Sequence, residues 1–199
     1  MTLYDFAAHG VLPLLMKIWR FRFSGAENVP MTGPLIIAAN HVSYLDPVAV
    51  GVACPRPISY MAKAELFALP VLGWILPRVN AYPVGRGSKS STMGAVKKSV
   101  QILKEGRAIG IFPQGTRVRE GEGESKAGVA LLASMGNAPV VPAYVWGSKD
   151  ASRLHQIKVV FGPPLRLPAG RKATREEIAK FTQDVMAAIR GLEAQIHAD

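Results

Sequence analysis

The sequence predicts a single α/β domain, a mixed and largely parallel sheet covered by helices, with an N-terminal amphipathic helical segment in front of it. Three observations carry this. The short continuous apolar runs Leu35–Ala39 and Ala108–Phe112 are of the kind buried on both faces of a parallel sheet. Helical periodicities lie between and after such runs. The length of 199 residues, 49% of them hydrophobic, suits one core and is too short for two.

Taken in order, residues 2–23 carry a stripe of Leu3, Ala7, Val11, Leu14, Ile18 and Phe21, closed by Lys17, Arg20 and Arg22. Pro13 kinks this helix or splits it in two. It reads as a helix packed on the core or as an interfacial helix with Trp19 and Phe21 at headgroup depth, and one helix can do both. The domain organisation expected is therefore a membrane-associating segment, 1–24, and a main domain, 25–199. After the turn-rich Asn28–Gly33 comes the Leu35–Ala39 strand, and Asp46-Pro47 then resembles a helix start, with Asp as N-cap and Pro at the first helical position. Ile58–Ala62 reads as a strand and Leu66–Leu76 as a short apolar helix or loop. Thr92–Glu105 reads as a helix with Gly106 past its end, and Ala108–Phe112 as a strand. Arg117–Lys126 is a charged, glycine-rich surface loop, Ala127–Met135 a short helix, and Pro139–Trp146 and Gln156–Phe161 are strands. Thr174 and Glu177 have capping-box spacing and open a long helix with the stripe Ile178, Phe181, Val185, Ile189, Leu192 and Ile196.

Composition narrows the partners. The 24 Lys and Arg against 14 Asp and Glu give a net charge of +10, which predicts an anionic partner. Between residues 61 and 110, eight basic residues stand against two acidic ones, a concentration that points to one positive surface; Lys97, Lys98 and Lys104 read as a solvated helix face. The single cysteine, Cys54, excludes an internal disulfide framework and fits a reducing compartment. No apolar run reaches the roughly 20 residues a membrane-spanning helix requires. Asp5 stands before the first apolar run, where a secretory signal would carry positive charge, so a cytoplasmic chain is expected. His9, His155 and His197 are isolated, and no metal site is expected. Trp19, Trp74 and Trp146 lie on apolar stretches, as core or membrane-edge residues do, and nucleic acid is not an expected partner.

Three constellations carry chemistry. Asn40-His41-Val42-Ser43-Tyr44-Leu45-Asp46-Pro47 follows a buried strand, where ligands collect in α/β sheets. An imidazole there can take a proton from a substrate hydroxyl, and a carboxylate on its other nitrogen would fix the tautomer and stabilise the imidazolium. His41 and Asp46 would lie about 140° apart on a helix, at roughly 100° per residue, so the pair meets only if His41 is in the loop and Asp46 at the helix start. Alone, the pattern is more often that of a packed His and a capping Asp. In Phe112-Pro113-Gln114-Gly115-Thr116-Arg117, Gly115 admits backbone amides to an anion, Thr116 adds a hydroxyl and Arg117 a bidentate clamp. Tyr82-Pro83-Val84-Gly85-Arg86-Gly87 is a turn presenting one Arg.

In this order and spacing, the blocks resemble the 1-acylglycerol-3-phosphate O-acyltransferase (lysophosphatidic acid acyltransferase) family of glycerolipid acyltransferases. His41 and Asp46 match its catalytic His-x4-Asp block. Arg86 aligns with a substrate-binding arginine in Tyr82–Gly87, and Phe112–Arg117 is similar to its Phe-Pro-Glu-Gly-Thr-Arg block, with Gln114 in place of Glu. Val140-Val141-Pro142-Ala143 is similar to its apolar-Pro block, and Lys63, within Tyr60–Phe67, matches a lysine of its phosphate pocket. The resemblance spans about residues 25–165. It implies acyl transfer from acyl-ACP or acyl-CoA to the free hydroxyl of lysophosphatidic acid, giving phosphatidic acid. His41 would be the general base and Asp46 its partner. Lys63, Arg86 and Arg117 would hold the acceptor's phosphate, with Gly115 and Thr116 shaping the pocket. No cofactor is implied. The partners expected are a lysophospholipid acceptor, the thioester donor and an anionic membrane surface, with the protein peripheral or monotopic on the cytoplasmic face. The alternatives are another lysolipid acceptor, such as a lyso-ornithine lipid, and a non-catalytic basic module binding anionic lipid.

Overall fold

A computed structural model describes residues 17–85, 89–114, 128–168 and 173–198. Its sheet contains β1 (Arg22–Ser24), β2 (Leu35–Ala39), β3 (Ile58–Lys63), β4 (Tyr82–Val84), β5 (Ala108–Ile111), β6 (Val140–Trp146) and β7 (Lys158–Phe161). The spatial order is β1-β7-β6-β2-β5-β3-β4. Among the described residues, every pairing between these strands is parallel except β6 with β7. The helices are α1 (Asp46–Ala53), α2 (Ala64–Phe67), α3 (Pro70–Arg78), α4 (Lys89–Lys104), α5 (Gly128–Gly136) and α6 (Arg175–Ala198). This is the mixed, largely parallel α/β architecture that the apolar runs predict.

β2 sits between β5 and β6 because each of its five residues is apolar and buried. Successive side chains of a strand point to opposite faces. Leu35, Ile37 and Ala39 accordingly join one core with Ala49, Val50 and Ala53 of α1. Ile36 and Ala38 join the other, built from α4, α5 and α6. In α6, Phe181, Val185, Ile189, Leu192 and Ile196 are buried, each contributing about 1.5–3 kcal/mol. The reciprocal bonds Thr174 N–H to Glu177 Oε2 (2.8 Å) and Glu177 N–H to Thr174 Oγ1 (3.2 Å) form the capping box. A cap contributes about 1 kcal/mol, so packing holds this helix and the box sets where it begins.

Three segments differ from the sequence reading. Residues 17–24 are not the end of a helix: Lys17–Trp19 is a 3-10 turn and Arg22–Ser24 is the edge strand β1, paired with β7. Trp19 covers the α1-side core and donates its indole N–H to the Ala151 carbonyl at 2.7 Å, so it is a packing residue. The expected kink at Pro13 and the stripe up to Met16 lie outside the described residues, as does the Arg117–Lys126 loop. Tyr82–Val84, read as a turn, is strand β4, which among the described residues pairs with β3 alone. Ser148–Arg153, between the last two strands, is a 3-10 segment with no sequence expectation behind it.

Arg56 fastens the start of the sheet. Its guanidinium donates to the carbonyls of Pro30 (2.9 Å), Gly33 (3.0 Å) and Gly106 (2.8 Å), which precede β2 and β5, while Arg56 itself precedes β3. The opposite edge, where β2, β3, β4, β5 and β6 end, is left to the loops that carry the candidate chemistry.

Candidate active site

Leaving β2, the chain passes through Asn40 into the loop bearing His41, and Asp46 opens α1. This is the arrangement the spacing requires. Leu45 is the cap residue and Asp46 the first helical one, with Pro47 next to it. The Asp46 carboxylate does not cap the helix; it turns back into the loop. Its Oδ2 accepts the N–H of Val42 and of Ser43, both at 2.7 Å, and faces His41 Nδ1 at 2.9 Å. Its Oδ1 accepts the Ser148 hydroxyl at 2.5 Å. Asp46 is fully buried, and those donors satisfy a charge that would otherwise be costly there. With Nδ1 on the carboxylate, the neutral ring carries its proton at Nδ1 and a lone pair at Nε2. No described residue bonds Nε2, and the His41 side chain is 18% exposed.

The imidazole plane is set by stacking. Phe112 lies against it with centroids 4.2 Å apart at 25°, and Tyr60 stacks on Phe112 at 6.1 Å and 14°. Gly110 makes room for this column, since a Cβ there would collide with the Tyr60 ring. From the same edge, Gln114 Oε1 accepts the His41 backbone N–H at 3.2 Å. Asn40 is buried and makes two bonds with Val145 of β6, donating to its carbonyl (2.9 Å) and accepting its N–H (2.7 Å). In β4, Tyr82 donates to or accepts from Ser99 Oγ at 2.9 Å, and burial raises its phenol above the ordinary value.

Residues 20–146 match the family model Acyltransferase. A 1-acyl-sn-glycerol-3-phosphate acyltransferase of Bacillus subtilis is 32% identical over 98% of this chain and 98% of its own length. This chain belongs to the 1-acyl-sn-glycerol-3-phosphate acyltransferase family. A chloroplastic acyltransferase of that description from Brassica napus is 29% identical over 67% of this chain, which spans 39% of the plant protein. The crystal structure of the 1-acyl-sn-glycerophosphate (LPA) acyltransferase PlsC from Thermotoga maritima matches with a TM-score of 0.69 at 24% identity, covering 96% of this chain and 82% of that one. The two share a fold.

In this acyltransferase, His41 and Asp46 are brought into contact, while the residues expected to bind the acceptor are only partly described. Lys63 ends β3 with its side chain exposed and, among the described residues, without an acidic partner. From β2 it stands two strands away, about 10 Å at the usual spacing. Arg86, Gly115, Thr116 and Arg117 lie outside the described residues; Arg86 follows β4 and the other three follow β5, both of which end at the edge where His41 lies. Sequence reasoning gave no role to Ser148, to Asn40 or to the Tyr60–Phe112 column. A polar residue directly after an all-apolar strand was the available signal for Asn40. For Ser148, 102 residues from Asp46, there was none.

Between β3 and β4, α3 has no buried residue. Leu69, Val71, Leu72, Trp74 and Ile75 are all exposed, and the Arg78 guanidinium lies 4.2 Å from the Trp74 ring centroid. Among the described residues, no helix is long and apolar enough to cross a membrane.

Proposed function

We propose that this acyltransferase moves a fatty acyl group from acyl-ACP or acyl-CoA to the free hydroxyl of lysophosphatidic acid, giving phosphatidic acid. The observation that carries the reading is the His41–Asp46 contact, with Nδ1 held by a buried carboxylate and Nε2 left unbonded by the described residues. His41 takes the hydroxyl proton on Nε2 as that oxygen attacks the thioester carbonyl. Asp46 stabilises the imidazolium that forms. The new ester C–O bond closes, the C–S bond breaks, and the proton passes from His41 to the leaving thiolate. Activating the acceptor directly requires no acyl-enzyme, and the step draws on no metal or organic cofactor. The acceptor's phosphate is held by Lys63, Arg86 and Arg117, with Gly115 and Thr116 shaping the pocket.

The acceptor and the product are both membrane lipids. The exposed apolar face of α3 and the N-terminal stretch before Lys17 dock the enzyme on an anionic bilayer, peripherally on its cytoplasmic face. The excess of basic residues between 61 and 110 supports this placement.

A thioester-release assay over a panel of lysolipid acceptors, phosphorylated and phosphate-free, tests the reading with wild type and His41→Ala side by side. Turnover should require the phosphorylated acceptor and fall at least ~10²–10⁴-fold in the variant. A folded His41→Ala enzyme with wild-type turnover overturns the general-base role, and equal turnover of phosphate-free acceptors overturns the acceptor.

A further inference from the structure

We infer that Ser148 is a positioning residue for this reaction, a hydroxyl supplied from beyond β6 that orients the Asp46 carboxylate and, through it, the His41 ring. The inference rests on the His41–Asp46 reading above. Three of the four donors to Asp46 come from its own loop: His41, Val42 and Ser43, all on Oδ2. Those three share one oxygen and leave the carboxylate free to pivot about it. Ser148 is the only donor on Oδ1 among the described residues and the only one from a distant part of the chain. With both oxygens fixed, the carboxylate plane is fixed, and so is the direction from which Oδ2 receives Nδ1–H.

The rest of the β6 exit is built to hold that hydroxyl in place. Gly147 has φ +79°, and a Cβ there would collide with the Gln156 carbonyl, so only glycine makes this turn. Ser148 follows it and is 1% exposed. Three residues before Ser148, the paired Asn40–Val145 bonds tie β6 to the residue that precedes His41. The clasp and the hydroxyl thus lock the two strand exits together on either side of the His41 loop. A carboxylate kept at one orientation is worth most where charge develops on the ring, which is in the transition state and not in substrate binding.

The test compares Ser148→Ala, Ser148→Cys and Ser148→Thr for kcat, for KM of the acceptor and for unfolding midpoint. Losing a hydrogen bond to a charged group should lower kcat roughly 10- to 100-fold in the Ala variant, with KM unchanged. Threonine keeps the donor and should restore kcat. Cysteine keeps the volume but donates weakly, so it should fall as Ala does and carries the test if Ala fails to fold. In a His41→Ala background, Ser148→Ala should cost nothing further, because it acts through that ring. Wild-type kcat in Ser148→Ala, or an equal loss with and without His41, overturns the positioning role while leaving the base in place. An active His41→Ala enzyme instead overturns the reading on which the role rests.

Discussion

Gln114 Oε1 accepts the backbone N–H of His41 at 3.2 Å, so the loop leaving β5 holds the loop leaving β2 at the residue that bears the imidazole. The contact uses one carbonyl-type oxygen, which glutamine and glutamate both present.

Gln114→Glu should therefore retain kcat, whereas Gln114→Ala should lower it about 2- to 10-fold, the loss expected from one neutral hydrogen bond. Steady-state kcat at saturating acceptor separates the two. A Glu variant as impaired as the Ala variant would mean that the oxygen is not what holds the loop.

Arg56→Ala removes three bonds to carbonyls at the start of β2 and β5. The unfolding free energy should fall by about 3 kcal/mol. Since Arg56 lies at the far edge of the sheet from His41, kcat and KM should stay at wild-type values. Urea titration and steady-state kinetics on the same preparation check both halves.

Cys54 is 5% exposed, and burial pushes its thiol up to about 11, against smaller lowering effects from the Arg56 backbone hydrogen bond and charge. An acid whose folded value is raised contributes fully below its unfolded value of 9.0 and loses that contribution as pH rises toward 11. From pH 8 to 10.5, wild type should lose ~2 kcal/mol more stability than Cys54→Ala, from 1.36 kcal/mol per pKa unit. Paired urea titrations at the two pH values measure this difference. Parallel curves for the two proteins would contradict it.

The exposed face of α3 gives a prediction separable from chemistry. Replacing Leu72 and Trp74 by serine should weaken binding to anionic phospholipid vesicles at least tenfold, given about 1.5–3 kcal/mol per large apolar side chain buried. Turnover of a short-chain acceptor in solution should not change. Vesicle co-sedimentation reads the first effect, and unchanged binding would show that α3 stays out of the bilayer.

What the sequence discloses depends on how local each determinant is. β2, β5 and β6 were legible because strands buried on both faces need unbroken apolar runs. The start of α6 was legible because its capping box closes over four residues. The His41–Asp46 pair was legible for the same reason: five positions and a proline decide its geometry. β1 and β4 were missed because each is a three-residue edge strand, one carrying Arg22 and Ser24 and the other Pro83, and only a tertiary partner makes either a strand. The helix read over residues 17–24 failed where pairing with β7 outweighed the helical period. Ser148 and Arg56 are the hardest case, since each acts on residues that only the strand order brings near.

The guanidinium of Arg56 closes the floor of the sheet, while the imidazole and its carboxylate occupy the rim. Foldability and the His41–Asp46 pair are thus held in different places. Residues beyond the strand ends can be exchanged at the rim while the seam at the floor stays shut. That separation gives the scaffold latitude to diversify its acceptors without first having to regain its stability.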